Sequence, residues 1–274
     1  MALCAGIYRD WRPRVREHNS PAVAVVLAAG AGTRLGAAQS RIPKPLTNLL
    51  GVPLLNRALR SVQAAGIERA VVVAGYRAEL VEAQARAAAA SLGLQVTVVT
   101  NPRWMTGNGS SLLAAAPHVP SRSIVVMADH LTPPAFLRLL VESTEDTAGL
   151  LVVDSNPDTV HDLDDATKVR LTGSRIAAIG KQLQTFDAVD TGAFLFDHRI
   201  FEALRTASAA GHDELSAAVQ RLADDGLMHA VPSDGSFWCD IDTPEDLAFA
   251  SRALEHEQLR AIAASPEQAA LVGK

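Results

Sequence analysis

Cysteine is scarce: Cys4 and Cys239 are the two in 274 residues. Neither has a metal-ligand partner at the usual spacing, and two thiols make no disulfide framework, which points to a reducing, cytoplasmic setting. Long apolar runs are missing too, since no stretch approaches the ~20 residues a membrane helix requires. Met1 to Tyr8 is apolar but short, and Arg9, Asp10, Arg12, Arg14 and Arg16 follow it, the wrong charge order for a signal peptide. Residues 1–20 are expected to be a mobile arm, with contact to a membrane surface as the weaker alternative. Positive charge is not in excess: 25 Lys and Arg face 30 Asp and Glu, for a net charge of −5. That leaves no electrostatic footprint for nucleic acid. Gly-x-Ser-x-Gly and His-Glu-x-x-His do not occur, and no linker, internal repeat or low-complexity tract breaks the chain. The eight histidines are scattered, and His130, beside Asp129, is the one next to a candidate residue. With 48% hydrophobic and 20% charged residues, the composition is that of a globular protein able to bury a core without staples.

The chain is organised around AVAVVLAAGAGTRLGAAQSRIPKPL, Ala22 to Leu46. Ala22 to Leu27 is an apolar run of the kind that forms a buried parallel strand. It runs into a small-residue loop in which Gly30 and Gly32 allow a tight turn and leave backbone N–H groups bare to an anion. Arg34 adds a planar cation suited to phosphate oxygens, and Lys44, between Pro43 and Pro45, a compact one. Other glycine loops fit worse. A dinucleotide fingerprint wants a third glycine where Leu35 stands and an acid roughly 20 residues on, where Leu49 to Asn56 has none. A Walker A loop needs Gly-Lys-Ser/Thr, whereas Gly32 precedes Thr33-Arg34. A purely structural turn accounts for the glycines but not for Arg34 with Pro43-Lys44-Pro45.

Downstream, helices are expected over Pro53 to Ala65, Arg77 to Ser91 and Asp213 to Ala223, and a long one opens at Pro244. Strands are expected at Arg69 to Ala74, Leu94 to Thr100, Ser123 to Ala128, Leu150 to Val153, Val189 to Phe196 and Phe237 to Asp242. Lys168 to Leu171 and Arg175 to Ile179 read as a hairpin. Strands alternating with helices at this rhythm imply an α/β fold, a doubly wound, mainly parallel, Rossmann-like sheet with a small β-rich acceptor-binding subregion. Ligands in such sheets sit beyond the strands' carboxyl ends. The domain is expected to span 21–255, with a C-terminal helix or tail over 256–274.

Asp129 closes a strand opposite the glycine loop, where a carboxylate can hold Mg²⁺ against triphosphate oxygens or simply cap a helix. Asp240 and Asp242 are expected on one face of the last strand, and Asp242-Thr243 can also cap the helix that Pro244 begins. Gly107, Asn108 and Gly109, after Asn101, offer backbone groups and one amide to read a base edge, although Asn-Gly is also a common turn. Ser110 and Ser111 are candidate caps for a helix starting near Leu112. Lys168 and Lys181, at the two ends of the hairpin, can both meet one phosphate, or each be a solvated charge. Asp190, Thr191 and Gly192 combine an acid for hydroxyl hydrogens with a glycine that permits close approach.

LAAGAGTRLG followed by PKPL resembles the signature of the nucleotidyltransferases that activate sugar phosphates and phospho-alcohols. GNGSSL, MADH, ATKV, IGK, FDAVDTGAF, DELSAAV and WCDIDTPEDL then follow in an order similar to the CTP:inositol-1-phosphate cytidylyltransferases, from about Val23 to Ala250. The resemblance implies that Leu27, Ala28, Ala29, Gly30, Gly32 and Thr33 wrap the triphosphate, joined by Asn101, Gly107, Asn108, Gly109, Ser110 and Asp129. It implies Arg34 and Lys44 as the catalytic cations, and Asp129 and Asp240 as Mg²⁺ ligands, with Asp242 an auxiliary ligand or a cap. Lys168, Lys181, Asp190, Thr191, Gly192 and Glu214 would line the acceptor's place. Hexose 1-phosphate enzymes usually have Glu-Lys-Pro where Gly180-Lys181-Gln182 stands, and tend to show glycine at Asp242, so a hexose is disfavoured.

The implied activity joins CTP to inositol 1-phosphate, giving CDP-inositol and pyrophosphate. The alternatives are another acceptor (phosphocholine, a phosphonate, a cyclitol phosphate or another sugar 1-phosphate) and a nucleotide sensor without catalysis. Phosphocholine wants an aromatic or acidic cage, and with 4% aromatics only Trp104 and Trp238 lie near the motifs. Base, acceptor and oligomeric state, including a homo-oligomer, stay open. Similar cytidylyltransferases are often fused after the last helix to a membrane-embedded phosphotransferase, which makes this sequence a candidate soluble half of a longer protein.

Overall fold

The computed structural model describes residues 23–35 and 42–263. The expected arm over 1–20 and residues 264–274 of the expected tail lie outside them. Strand β1 (Val23–Ala28) is apolar and buried at every position. A small hairpin, β2 (Asn48–Leu49) and β3 (Val52–Pro53), precedes helix α1 (Leu54–Ala64). Then come β4 (Arg69–Ala74), α2 (Ala78–Leu92), β5 (Gln95–Thr100), α3 (Asn108–Ala115), β6 (Ser123–Met127), the two-residue β7 (His130–Leu131) and α4 (Pro134–Val141). The second half holds β8 (Gly149–Asp154), β9 (Lys168–Thr172), β10 (Arg175–Gly180), β11 (Ala188–Phe196), α5 (Arg199–Ala209), α6 (Leu215–Asp224), β12 (Met228–Pro232), β13 (Cys239–Asp240) and α7 (Pro244–Ala263).

Nine strands form one sheet in the order β5-β4-β1-β6-β11-β8-β12-β10-β9, and β9 also pairs with β11. Alternate residues of β1 point to opposite faces, as the pleat requires. Val23, Val25 and Leu27 join a core with α3, α5 and α6, whereas Ala24, Val26 and Ala28 join one with α1, α2 and α4. Helices therefore cover both faces, as the sequence rhythm predicts. The parallel character holds for β5, β4, β1 and β6. The sheet as a whole is mixed, because β11 runs antiparallel between β6 and β8 and β9 and β10 form an antiparallel hairpin.

The expected strand over Phe237 to Asp242 shrinks to Cys239–Asp240, and Asp242 lies beyond it on the approach to α7. Asp240 and Asp242 thus do not share a strand face. The cap of α7 belongs to Thr243, not Asp242. Asp246 Oδ2 accepts the N–H groups of Asp242 and Thr243 and the Thr243 hydroxyl, and Thr243 Oγ1 accepts the Asp246 N–H. Helix α3 starts at Asn108 rather than near Leu112, so Ser110 and Ser111 sit inside its first turn and do not cap it. Helices α4 and α5 and strand β12 were not expected. The last, MHAVP, carries a histidine and ends on proline, yet it pairs in parallel with β8 from Met228↔Gly149 to Pro232↔Val153.

Candidate active site

A cleft of about 580 Å³ opens beyond the carboxyl ends of β1 and β6 and is walled on the other side by the second half of the chain. Its floor is set by one crossing. The backbone N–H of Lys44 donates to the Gly30 carbonyl at 3.2 Å, so the Pro43-Lys44-Pro45 stretch lies directly against the glycine loop. Gly32 has φ +71°, and a Cβ there would fall 2.9 Å from Lys44 Cβ. This contact explains why the two halves of the motif occur together: the glycine makes room for the lysine that follows it.

Lys44 is buried. Its ammonium donates to Asp129 Oδ2 at 2.5 Å and to Asp242 Oδ1, and lies 3.9 Å from Asp240 Oδ1. Burial works against the charge, but Asp129, Asp240 and Asp242 outweigh it and hold the Lys44 pKa above its ordinary value. Asp129 is likewise penalised by burial, yet Lys44 and His130 pull its pKa well below the usual carboxylate range. Arg34 donates to Asp242 Oδ2 and, at 3.0 Å, to Asp165 Oδ2. Lys181 donates to the other oxygen of Asp165 at 2.7 Å.

Asp129 and Asp240 come from residues 111 positions apart in sequence (240 − 129). The ribbon of β7 and β13 brings them together, pairing Asp240 with His130 and Cys239 with Leu131. Ligand atoms of Asp129, His130 and Asp240 all lie within 4.8 Å of one another. His130 Nδ1 is 3.1 Å from Asp129 Oδ1 and 3.4 Å from Asp240 Oδ1. Burial opposes a charge on His130, but Asp240 and Asp129 raise its pKa to about 9. Burial pushes Asp240 up to about 6, against the pull of His130. Gly192, at φ +76°, is the only residue type that fits beneath that imidazole, since a Cβ would lie 2.4 Å from the ring. Asp240 Oδ1 is buried and accepts no hydrogen bond. A carboxylate pair with one unsatisfied oxygen suits a hard divalent cation with oxygen ligands.

The expected site residues separate into those that reach the cleft and those that support it. Leu27, Ala29, Gly30, Gly107, Asn108, Asp129, Lys181, Asp190, Gly192, Glu214, Asp240 and Asp242 line it. Ala28 instead packs into the core below, Gly32 lies against Lys44, and Thr33 is exposed at the start of the short helical turn Thr33–Leu35. Asn101 is buried, with its amide donating to Ser110 and Ser111 hydroxyls and its oxygen accepting the Arg103 N–H. It braces the loop rather than facing a ligand. Ser110 closes that loop by donating to the Gly107 and Arg103 carbonyls, and Gly109 packs against the Asp213 carbonyl. Thr191 points into the sheet, donating to the Val152 carbonyl at 2.7 Å. Lys168 is buried and its ammonium is consumed by the Asp164 and Lys181 carbonyls, at 2.8 and 3.2 Å, so it does not share a phosphate with Lys181. Asp190 accepts the Gly192 N–H, and burial lifts its pKa to about 6.

Sequence reading passed over Met105, His161 and Asp165 and named Trp104 only as an aromatic near the motifs; all four line the cleft. His161 stacks on Phe249 with centroids 4.0 Å apart, and its Nε2 is 3.3 Å from Asp246 Oδ1. The run His161-Asp162-Leu163-Asp164-Asp165, just before Thr167-Lys168-Val169, was the available signal: acids crowded next to a cationic motif.

Residues 24–226 match the MobA-like NTP transferase domain. A bifunctional IPC transferase and DIPP synthase of Rubrobacter xylanophilus is 41% identical over 228 residues, covering 82% of this chain and 50% of that protein. The protein of the same name from Archaeoglobus fulgidus is 36% identical, covering 84% and 43%. The chain spans about half the length of these curated relatives. Among solved structures, the inositol-1-phosphate CTP transferase from T. maritima superposes with a TM-score of 0.75 at 28% identity, covering 83% of this chain and 92% of that one. With the glycine loop, the crossing lysine and the paired carboxylates in one cleft, the chain belongs to the family of MobA-like NTP transferase domains.

Proposed function

We propose that the chain transfers the cytidylyl group of CTP to inositol 1-phosphate, releasing pyrophosphate and giving CDP-inositol. The observation that carries this reading is the charge cluster at the edge of the cleft, in which Lys44 bonds Asp129 and Asp242 and lies 3.9 Å from Asp240, Arg34 shares Asp242, and all three carboxylates line the cleft. Relatives whose names specify IPC transfer, and the likeness to the T. maritima inositol-1-phosphate CTP transferase, support the choice of substrates. The catalytic unit on this reading spans 21–255.

A phosphate monoester has a second pKa near ~6, so the nucleophile is already ionised at neutral pH. No general base and no covalent intermediate are needed. The barrier is the approach of one anion to another in line with the departing pyrophosphate. Catalysis is therefore positioning and charge neutralisation. Asp129 and Asp240 would hold Mg²⁺, which would supply positive charge to offset that of the phosphates. Arg34 and Lys44 stabilise the charge that develops on the α-phosphate and the leaving group. Lys181 holds the acceptor's phosphate, and Asp190 and Glu214 take hydrogen bonds from its hydroxyls. Asn108 presents a donor to the base, because its Oδ1 is already engaged by the Leu215 N–H at 2.8 Å.

The deciding experiment is a matrix of nucleoside triphosphates against phospho-alcohols, scored by pyrophosphate release. The expected maximum is CTP with inositol 1-phosphate. A maximum at phosphocholine or a phosphonate would reassign the acceptor, and no release from any pair would leave a nucleotide sensor.

A further inference from the structure

The cations of the cleft are joined by carboxylates into one alternating chain: Lys44, Asp242, Arg34, Asp165, Lys181. Asp242 and Lys44 belong to the buried floor. Asp165 differs. It stands at the mouth, with its two oxygens divided between a cation of the nucleotide loop and a cation of the acceptor side. Its backbone is pinned on both sides. The Asp164 carbonyl accepts from the buried Lys168 ammonium, the Ala166 N–H donates to the Asp162 carbonyl, and the Thr167 carbonyl accepts the Asp190 N–H at 2.9 Å. The carboxylate is therefore presented at a fixed place, while Arg34, Asp165 and Lys181 side chains stay 54%, 36% and 48% exposed. Ion pairs that open to solvent are weak. A multiply charged phosphate can displace them.

We propose that Asp165 is a positioning residue that stands in for the substrates' phosphates and couples the two subsites. The proposal rests on the reading above, in which Arg34 takes the nucleotide and Lys181 the acceptor. In the ligand-free protein Asp165 holds both cations aimed into the cleft and keeps them from repelling each other. A triphosphate that takes Arg34 removes one of the two contacts anchoring Asp165. The acceptor phosphate then competes for Lys181 against a carboxylate held at one point instead of two. Binding at either subsite thus favours binding at the other, and the factor is the same in both directions.

The test is calorimetry on the full chain with magnesium, the non-hydrolysable α,β-methylene analogue of CTP, and inorganic phosphate, the group every candidate acceptor shares. In the unmodified protein, saturating phosphate tightens the analogue. In Asp165→Asn each ligand alone binds up to about fivefold tighter, because a competing anion is gone, and the coupling factor falls to one. Asp165→Glu restores the coupling. An Asp165→Asn protein that keeps the original coupling factor overturns the inference. Turnover of CTP with inositol 1-phosphate is measured alongside. An unmodified protein that is active but shows no coupling overturns the inference and leaves the function standing, whereas an unmodified protein that neither binds nor turns over CTP overturns both.

Discussion

Lys44 shows how the surroundings of one side chain can hold a charge in a buried place. A lysine ammonium strips poorly from water, and burial alone would drive it to the neutral form. Here Asp129 and Asp242 each accept a hydrogen bond from it and Asp240 adds attraction at 3.9 Å, so the charge is kept where a phosphate would arrive. Fixed charge in a sheltered place is what stabilises a developing anion. Replacing Lys44 with alanine is expected to lower kcat by ~10²–10³, by analogy with the loss of other preorganised donors. Steady-state pyrophosphate release measures this, and near-normal turnover would deny Lys44 its role. Both lysine and arginine were legible in the sequence, because prolines and glycines around them have few structural uses together. Asp165 was not, since an acid among other acids carries no spacing of its own, and its significance comes from what folds against it.

Among the elements, the best-read were those with an uninterrupted periodic pattern. The helices α1 and α2 and the strands β1, β4 and β5 fall within a residue or two of expectation, since apolar spacing and a closing glycine decide them locally. Gly93, at φ +70°, ends α2 as the sequence suggested. Elements decided by partners were misjudged. β12 is a strand only because β8 lies beside it, and β13 lasts two residues because β7 offers no more to pair with. The start of α7 is the element-scale device with the clearest energy. Between them Thr243 Oγ1 and Asp246 Oδ2 satisfy three backbone N–H groups and the Thr243 hydroxyl, and an N-cap of this kind is worth about 1 kcal/mol. Thr243→Ala is expected to destabilise the protein by about that much in denaturant unfolding. A change within error would mean that Asp246 alone carries the cap.

At the scale of the whole molecule, a mixed sheet brings the first half of the chain and the second, which on the proposed function take the nucleotide and the acceptor, to the same rim. The carboxyl ends of β1 and β6 supply the glycine loop and Asp129, while β10, β11 and the start of α6 supply Lys181, Asp190 and Glu214. No helix among the described residues is long and apolar enough to cross a membrane. A divalent ion held by Asp129 and Asp240 would tie the two ends of the fold together. Asp240→Asn should then raise the magnesium concentration for half-maximal rate about tenfold, since one anionic ligand is lost, and an unchanged magnesium titration would exclude Asp240 from the metal site. The two-residue ribbon of β7 and β13 has one more consequence, in time rather than in space. Asp129 leaves the ribosome long before Asp240, so a nascent chain can shape its glycine loop and much of its sheet before the two carboxylates can meet. On the proposed function, chemistry would begin only when nearly the whole domain has been synthesised, which would keep a half-built protein from consuming nucleotide.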